Sequence, residues 1–277
     1  MYRGRFFEKK KLKKLMCCVT LKSVAQQLRL AGFAEQILVD GFNVTAKLCR
    51  IGEIMGEKEI NDIDEFSVIY TYSSCMLEGI KVTTDVIKQL GLGKFPETNE
   101  ERIALGNLNA FFYVEHLIKD RQDITEDVIK EIHKIIYGES TTSGEYRNTE
   151  FYVRNLSYQA PDSNEVEHLM QHFIQQMNLS KKMFNSVEFA AMSHKRILDI
   201  QPFNKGNGYV ARLLLNLILG QEGCNMMIIP PEVKDKYIQA IKNTQKPMTP
   251  DIDTLFELVM NCYLETDQYV KERNKKC

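Results

Sequence analysis

The stretch Gln201-Pro202-Phe203-Asn204-Lys205-Gly206-Asn207-Gly208-Tyr209-Val210-Ala211-Arg212 runs straight into the apolar series Leu213, Leu214, Leu215, Leu217 and Ile218. An apolar series of this kind reads as a buried helix, and glycines at its entrance let the backbone approach an anion closely. The free amides of a first helical turn donate hydrogen bonds and the helix end adds positive potential, which makes Gly206, Asn207 and Gly208 candidate phosphate contacts. Arg212, one turn into the helix, can direct a charged fork into the same space. On spacing alone an ordinary loop and helix cap is the simpler explanation of these glycines.

A second constellation lies at Ser74-Cys75-Met76-Leu77-Glu78-Gly79, where a four-residue interval puts Ser74 and Glu78 on one helical face. Taken by itself, Glu78 reads as a solvated helix-end carboxylate. The histidines are dispersed. His168 and His172 share a helix face without a convincing third ligand, and His133 is scattered like them, so no metal site is expected. His194 falls on a helix of its own, where packing with a satisfied hydrogen bond is the ordinary role.

These groups must be positioned by a mainly α-helical chain. Helical periodicity marks residues 62–77, 99–119, 125–136, 164–177, 186–199, 209–219, 231–241 and 252–269, with a helical lead-in over 21–57. The polar run 137–144 breaks the pattern and suggests a short hairpin there, and the aromatic and β-branched content of 150–158 predicts a strand. We expect an N-terminal helical region at 1–98, a core at 99–241 and a C-terminal helical extension at 242–277, with no repeat and no helix-turn-helix after the core.

Composition narrows the classes further. The chain has 277 residues, enough to bury a substantial core, and its 36 Lys+Arg balance 37 Asp+Glu, so no global field draws it toward nucleic acid or a membrane. The basic cluster Lys9, Lys10, Lys11, Lys13 and Lys14 reads as a solvated face. Seven cysteines, an odd number without paired ligand spacing, read as reduced thiols, and a cytoplasmic protein is expected.

The loop resembles the active-site loop of Fic-domain (Fido) AMP-transferases, which reads His-Pro-Phe, a variable residue, Asp or Glu, Gly-Asn-Gly-Arg, two variable residues and Arg. Pro202, Phe203, Gly206, Asn207, Gly208 and Arg212 match. Gln201 stands at the general-base position, Lys205 at the magnesium-ligand position and Tyr209 at that of the first phosphate-binding arginine, so the motif is degenerate. Gly144, Tyr146 and Arg147, followed by Phe151, Tyr152 and Val153, resemble the family's substrate-positioning flap, and Ser74, Glu78 and Gly79 resemble its inhibitory helix. The similarity covers about 99–241 together with 72–79.

The resemblance implies a Fic fold, a helical core with a small β-hairpin flap, and a site that takes ATP or another adenine nucleotide. It also implies that Glu78 reaches Arg212 and disturbs the nucleotide's pose. In the family the loop histidine deprotonates a target hydroxyl that attacks the α-phosphate of ATP. An amide has no proton cycle near neutral pH, and loss of a general base costs about 10²–10⁴-fold in rate. An ammonium at position 205 supplies no oxygen ligand, so magnesium binding is expected to be weak or lost, although Lys205 can itself lie against a phosphate. The reading is a diverged Fic protein lacking efficient protein AMP-transferase activity but keeping phosphate or nucleotide binding. Two alternatives stand beside it: an active transferase or deAMPylase with altered chemistry, and a noncatalytic interaction module whose flap pairs with a partner strand. The protein target or partner is unknown from sequence.

Overall fold

A computed structural model of the chain describes residues 63–275 except 139, 141, 151–157, 181, 182 and 247. The chain divides into two compact units, Met1–Glu57 and Lys58–Cys277, and everything below belongs to the second. The lead-in over 21–57, the basic cluster at 9–14 and the strand expected at Phe151, Tyr152 and Val153 lie outside the described residues. Among the described residues the fold is helical and no strand forms. None of the described helices is long and apolar enough to cross a membrane.

Nine α-helices are described: α1 Glu65–Leu77, α2 Thr84–Gly91, α3 Asn99–Lys119, α4 Glu126–Tyr137, α5 Val166–Ser180, α6 Ser186–Ile200, α7 Asn207–Gln221, α8 Lys234–Thr244 and α9 Asp253–Asn274. Local chemistry starts most of them. Asp64, Thr83, Thr98, Thr125 and Asn185 each accept a backbone N–H of the following turn, and Asn185 with Glu188 completes a reciprocal capping box. Helix α2 is absent from the sequence expectation. Its signal was present in Thr83 and in the close apolar triplet Val86, Ile87 and Leu90, but eight residues offer too short a window for periodicity.

Helix α7 is the axis of the core. Every residue from Tyr209 to Leu219 is buried, as expected of a helix apolar on all sides, and α6, α3 and α4 surround it. Helix α1 packs across α3 and is fixed at both ends. Arg273 of α9 reaches the Asp64 carboxylate at 3.3 Å, and Lys234 at the start of α8 donates to the Met76 carbonyl at 2.7 Å. The second contact adds a charged donor to a last-turn carbonyl that already accepts from the Gly79 N–H at 3.1 Å, beside the emerging Glu78.

Candidate functional site

The entrance to α7 and the end of α1 meet. Gly206, at φ 76°, caps α7 with no side-chain hydrogen bond to the first-turn amides. Gly208 faces the Glu78 carboxylate so closely that a Cβ there would come within 2.0 Å of Oε1 and 3.0 Å of Arg212 Nη1. Only glycine leaves room for that carboxylate. The positive end of α7 thus already has an anion against it, supplied by the chain itself.

Arg212 projects from α7 into the same junction and is almost fully buried. Its Nη2 donates to Glu78 Oε1 at 2.9 Å and to the Ser74 carbonyl at 3.2 Å, while Nε donates to Ser74 Oγ at 3.0 Å. Burial opposes the guanidinium charge, but Glu78, then Tyr237 and Tyr70, outweigh it and hold the group above its ordinary pKa. Cys75 lies beside this pair, and burial pushes its thiol up to about 11, against the opposing influence of Tyr209 and Arg212. A thiol so placed stays protonated at neutral pH. The Glu78 side chain keeps 31% of its surface exposed, so one partner of this buried cation is in reach of solvent.

The three substituted loop positions have different surroundings. Gln201 ends α6 in the left-handed region, φ 49° and ψ 59°, and its amide donates back to the Leu198 carbonyl at 2.8 Å. Lys205 is exposed and rests its ammonium 4.4 Å from the centre of the Tyr137 ring. Tyr209 is buried with its ring 5.3 Å from the Arg212 guanidinium carbon. Asn207 is used inside the loop as well: its side-chain oxygen accepts from Phe203 N–H at 2.9 Å and its amide donates to the Phe203 carbonyl at 2.7 Å. The Asn207 side chain thus closes the loop.

Two residues shape this loop from outside it. Arg147 is 2% exposed, and its hydrogen-bond partners are carbonyls: Gln201 at 2.8 Å, Thr149 at 3.0 Å, Pro161 at 2.5 Å and Ile200 at 3.4 Å. With its own N–H on the Pro202 carbonyl at 2.9 Å, it satisfies the orphan carbonyls where α6 runs into the loop. Sequence placed Arg147 in the flap; its side chain lies beneath the loop. Gly144 and Tyr146 border the same region, with the Tyr146 hydroxyl donating to Glu126 at 2.8 Å. His133, which sequence reasoning set aside, stacks on Phe203 at 4.0 Å and 5° between planes. Its partners are backbone groups distant in sequence, which no spacing rule could have signalled.

His194 is fully buried, and its Nε2 lies 2.7 Å from the Tyr237 hydroxyl. Burial, then the nearby Arg212 charge, depress its pKa to about 3, so it is a neutral packing group. Among the described residues no cluster of His, Cys, Asp and Glu is arranged to hold a metal, and Cys75, Cys224 and Cys262 are free thiols. The ammonium of Lys205 does not fit a divalent cation.

Comparison with known proteins places this geometry in a family. Residues 123–219, which span α4 through most of α7, match the Fic/DOC family. A protein adenylyltransferase Fic of Nematostella vectensis is 31% identical over 211 residues, 73% of this chain and 48% of that one. Protein adenylyltransferase fic-1 of Caenorhabditis briggsae is 29% identical over 182 residues, 62% of this chain and 36% of that one. The chain thus spans less than half the length of these relatives. Among solved structures, Fic-1 (residues 134–508) from C. elegans superposes with a TM-score of 0.68 at 22% identity, over 87% of this chain and 76% of that one. A Fic-domain signalling protein from Bacteroides thetaiotaomicron gives 0.67 at 22% identity over 79% and 94%. The chain is a Fic-domain protein.

Proposed function

We propose that this Fic-domain protein binds an adenine nucleotide, or another phosphate ligand, at the entrance of α7 and transfers AMP poorly or not at all. The observation that carries the reading is the seat itself: a helix entrance with Gly206 and Gly208, the fork of Arg212, and a carboxylate resting where a phosphate would lie. ATP, the substrate implied by the relatives' names, would contact the α7 amides and Arg212 there. Nothing at position 201 can take a proton from an attacking hydroxyl, and nothing at 205 can hold magnesium through oxygen.

In this reading Glu78 is an inhibitory group, because it occupies the arginine and the helix end together. Calorimetry with ATP, ADP and AMP at matched salt tests it on wild type, Glu78→Gly and Arg212→Ala. Binding is expected to appear or strengthen in Glu78→Gly, to depend little on magnesium, and to vanish when Arg212→Ala is added. Absence of binding in folded Glu78→Gly would leave the glycines as a helix entrance only. Activity is tested with α-phosphate-labelled ATP in authentic cell extract, where Arg212-dependent labelling of a protein by wild type would establish the transferase reading instead.

A further inference from the structure

The imidazole of His133 is used on three sides. Gly144 donates its N–H to Nδ1 at 2.9 Å, the Lys205 carbonyl lies 3.1 Å from Nε2, and the ring face covers Phe203. A carbonyl can only accept and an N–H can only donate, so the contacts require one neutral tautomer, with the proton on Nε2. That single ring spans α4, the turn at 142–144 that leads toward the flap, and the loop that opens α7. It is 3% exposed, so water cannot readily replace either bond.

We propose that His133 is the positioning residue of the α7 entrance: it orients the Lys205–Gly206 peptide and locks the loop to the flap-side turn, so that the two move as one piece. In a trans peptide the carbonyl and the following N–H point in opposite directions. Holding the Lys205 carbonyl against Nε2 therefore turns the Gly206 N–H away from the imidazole and fixes the peptide at the helix cap. The same bond leaves the Lys205 side chain on the outside, where it meets Tyr137. For nucleotide binding the consequence rests on the reading of the seat above; the lock itself does not.

Charge around the ring acts in one direction. Burial is the main influence and lowers the imidazole pKa to about 4, and the Lys205 ammonium on the loop disfavours the cation further, against the Lys205 carbonyl bond that favours it. On its own helix the neighbours are Tyr137, at 5.0 Å between rings, with Lys130 about one turn before and Lys134 next in the chain; from just beyond the turn comes Tyr146, packed on Phe203 at 5.7 Å. Protonation would place an N–H against the Gly144 N–H, two donors facing each other, and break the lock on the turn side.

Amide exchange followed by NMR on the full chain tests the proposal without any ligand. The reporters are Gly144 in the turn, Phe203 in the loop and Val210, whose N–H bonds to the Gly206 carbonyl; Leu108 and Leu214 report the core. His133→Phe keeps a flat ring and deletes both hydrogen bonds. It is expected to lower protection at all three reporters by about tenfold or more, with the core amides changed far less. His133→Gln carries one donor and one acceptor and should restore most of that protection. In wild type Gly144 should lose protection as the pH falls through the titration of the His133 imidazole, while Phe203 and Val210 keep theirs, because the protonated ring still donates from Nε2 to the Lys205 carbonyl; in His133→Gln none of the three should respond over the same range. The proposal is overturned if Phe203 and Val210 stay protected in His133→Phe when Gly144 is released, or if every amide including the core falls equally. Should His133→Phe fail to fold, the acid titration decides, and a Gly144 amide that responds no more in wild type than in His133→Gln overturns the lock. If Glu78→Gly binds no ATP, the reading of the seat fails while the exchange data still judge the lock; if it binds, adding His133→Gln should keep the affinity within about threefold, and adding His133→Phe should lower it by about tenfold or more.

Discussion

Arg147 and Arg212 are both buried cations within the same domain, and their partners differ in kind. Arg147 is surrounded by backbone carbonyls, Ile200 and Gln201 at the end of α6 with Thr149 and Pro161 from other segments, none of which can leave without moving the backbone that carries it. Arg212 is held by Ser74 and by one carboxylate that is partly exposed to solvent. Fixed dipoles make an arginine a structural staple, whereas a carboxylate in reach of solvent is a partner that the proposed ligand would displace. Burial alone does not distinguish the two, because both guanidinium groups are nearly inaccessible.

The widest separation between them should appear in stability. Arg147→Ala removes the donor to four carbonyls at once and is expected to cost roughly 3–5 kcal/mol, enough to leave the chain largely unfolded. Arg212→Ala removes a charge whose partner Glu78 can rehydrate, and should cost only about 1–3 kcal/mol. Denaturant titrations of the two variants check the order, and equal losses would break the distinction.

Exchangeability itself is the next effect. Glu78→Gly leaves Arg212 buried with only neutral partners, Ser74 and Tyr237, and should destabilise the domain by roughly 1–3 kcal/mol. That loss should be recovered by ATP, since a ligand at 100 times its Kd returns about 2.7 kcal/mol. Arg147→Lys, if it folds, should gain nothing from the same ligand. Thermal melts with and without ATP separate these outcomes.

Acid sharpens the contrast, since neither arginine titrates but a histidine lies near one of them. The folded-state pKa of His194 is depressed to about 3 and that of His133 to about 4, by burial first in each case. Below the unfolded value near 6.5 the unfolded chain binds protons that the folded chain refuses. Stability is therefore complete above about pH 6.5 and falls as the pH drops toward 4, by at most about 1.4 kcal/mol per unit for each histidine. Burial is the main cause for both, so Arg212→Ala should leave the slope between pH 7 and pH 4.5 nearly unchanged, because over that range it is set by the unfolded value. Denaturation midpoints from pH 7 to pH 4.5 measure it; a flat profile in wild type would mean that the fold does not hold these histidines neutral.

What sequence could and could not predict follows the same division. The long helices α3, α4, α6 and α7 are readable from apolar periodicity, because a buried face repeats along the chain itself. The Glu78–Arg212 contact, 134 residues apart, is readable only through resemblance to a family motif. His133 and the depth of Arg147 have no such signal, because their partners are carbonyls and an amide, which every residue possesses. Which backbone group a side chain meets is decided by the packed fold.

The smallest effect is expected at the loop's most conspicuous substitution. Gln201 contributes one hydrogen bond to Leu198, and that carbonyl also accepts from the Gln245 amide at 3.3 Å, so Gln201→His should change stability by less than about 1 kcal/mol. It should also restore no AMP transfer on its own. The residue sits in the left-handed region with its side chain folded back along α6, and the Arg147 bonds to the Ile200 and Gln201 carbonyls hold that backbone in place. Positions 205 and 209 would still lack an oxygen ligand and a phosphate-binding cation. Labelling with α-phosphate-labelled ATP should stay at background for Gln201→His, and should rise only when Lys205→Asp and Tyr209→Arg are combined with it. Strong labelling by the single variant would mean that base chemistry alone separates this loop from a working one, and that the inward-turned Gln201 side chain, unlike Arg147, is free to exchange its partner.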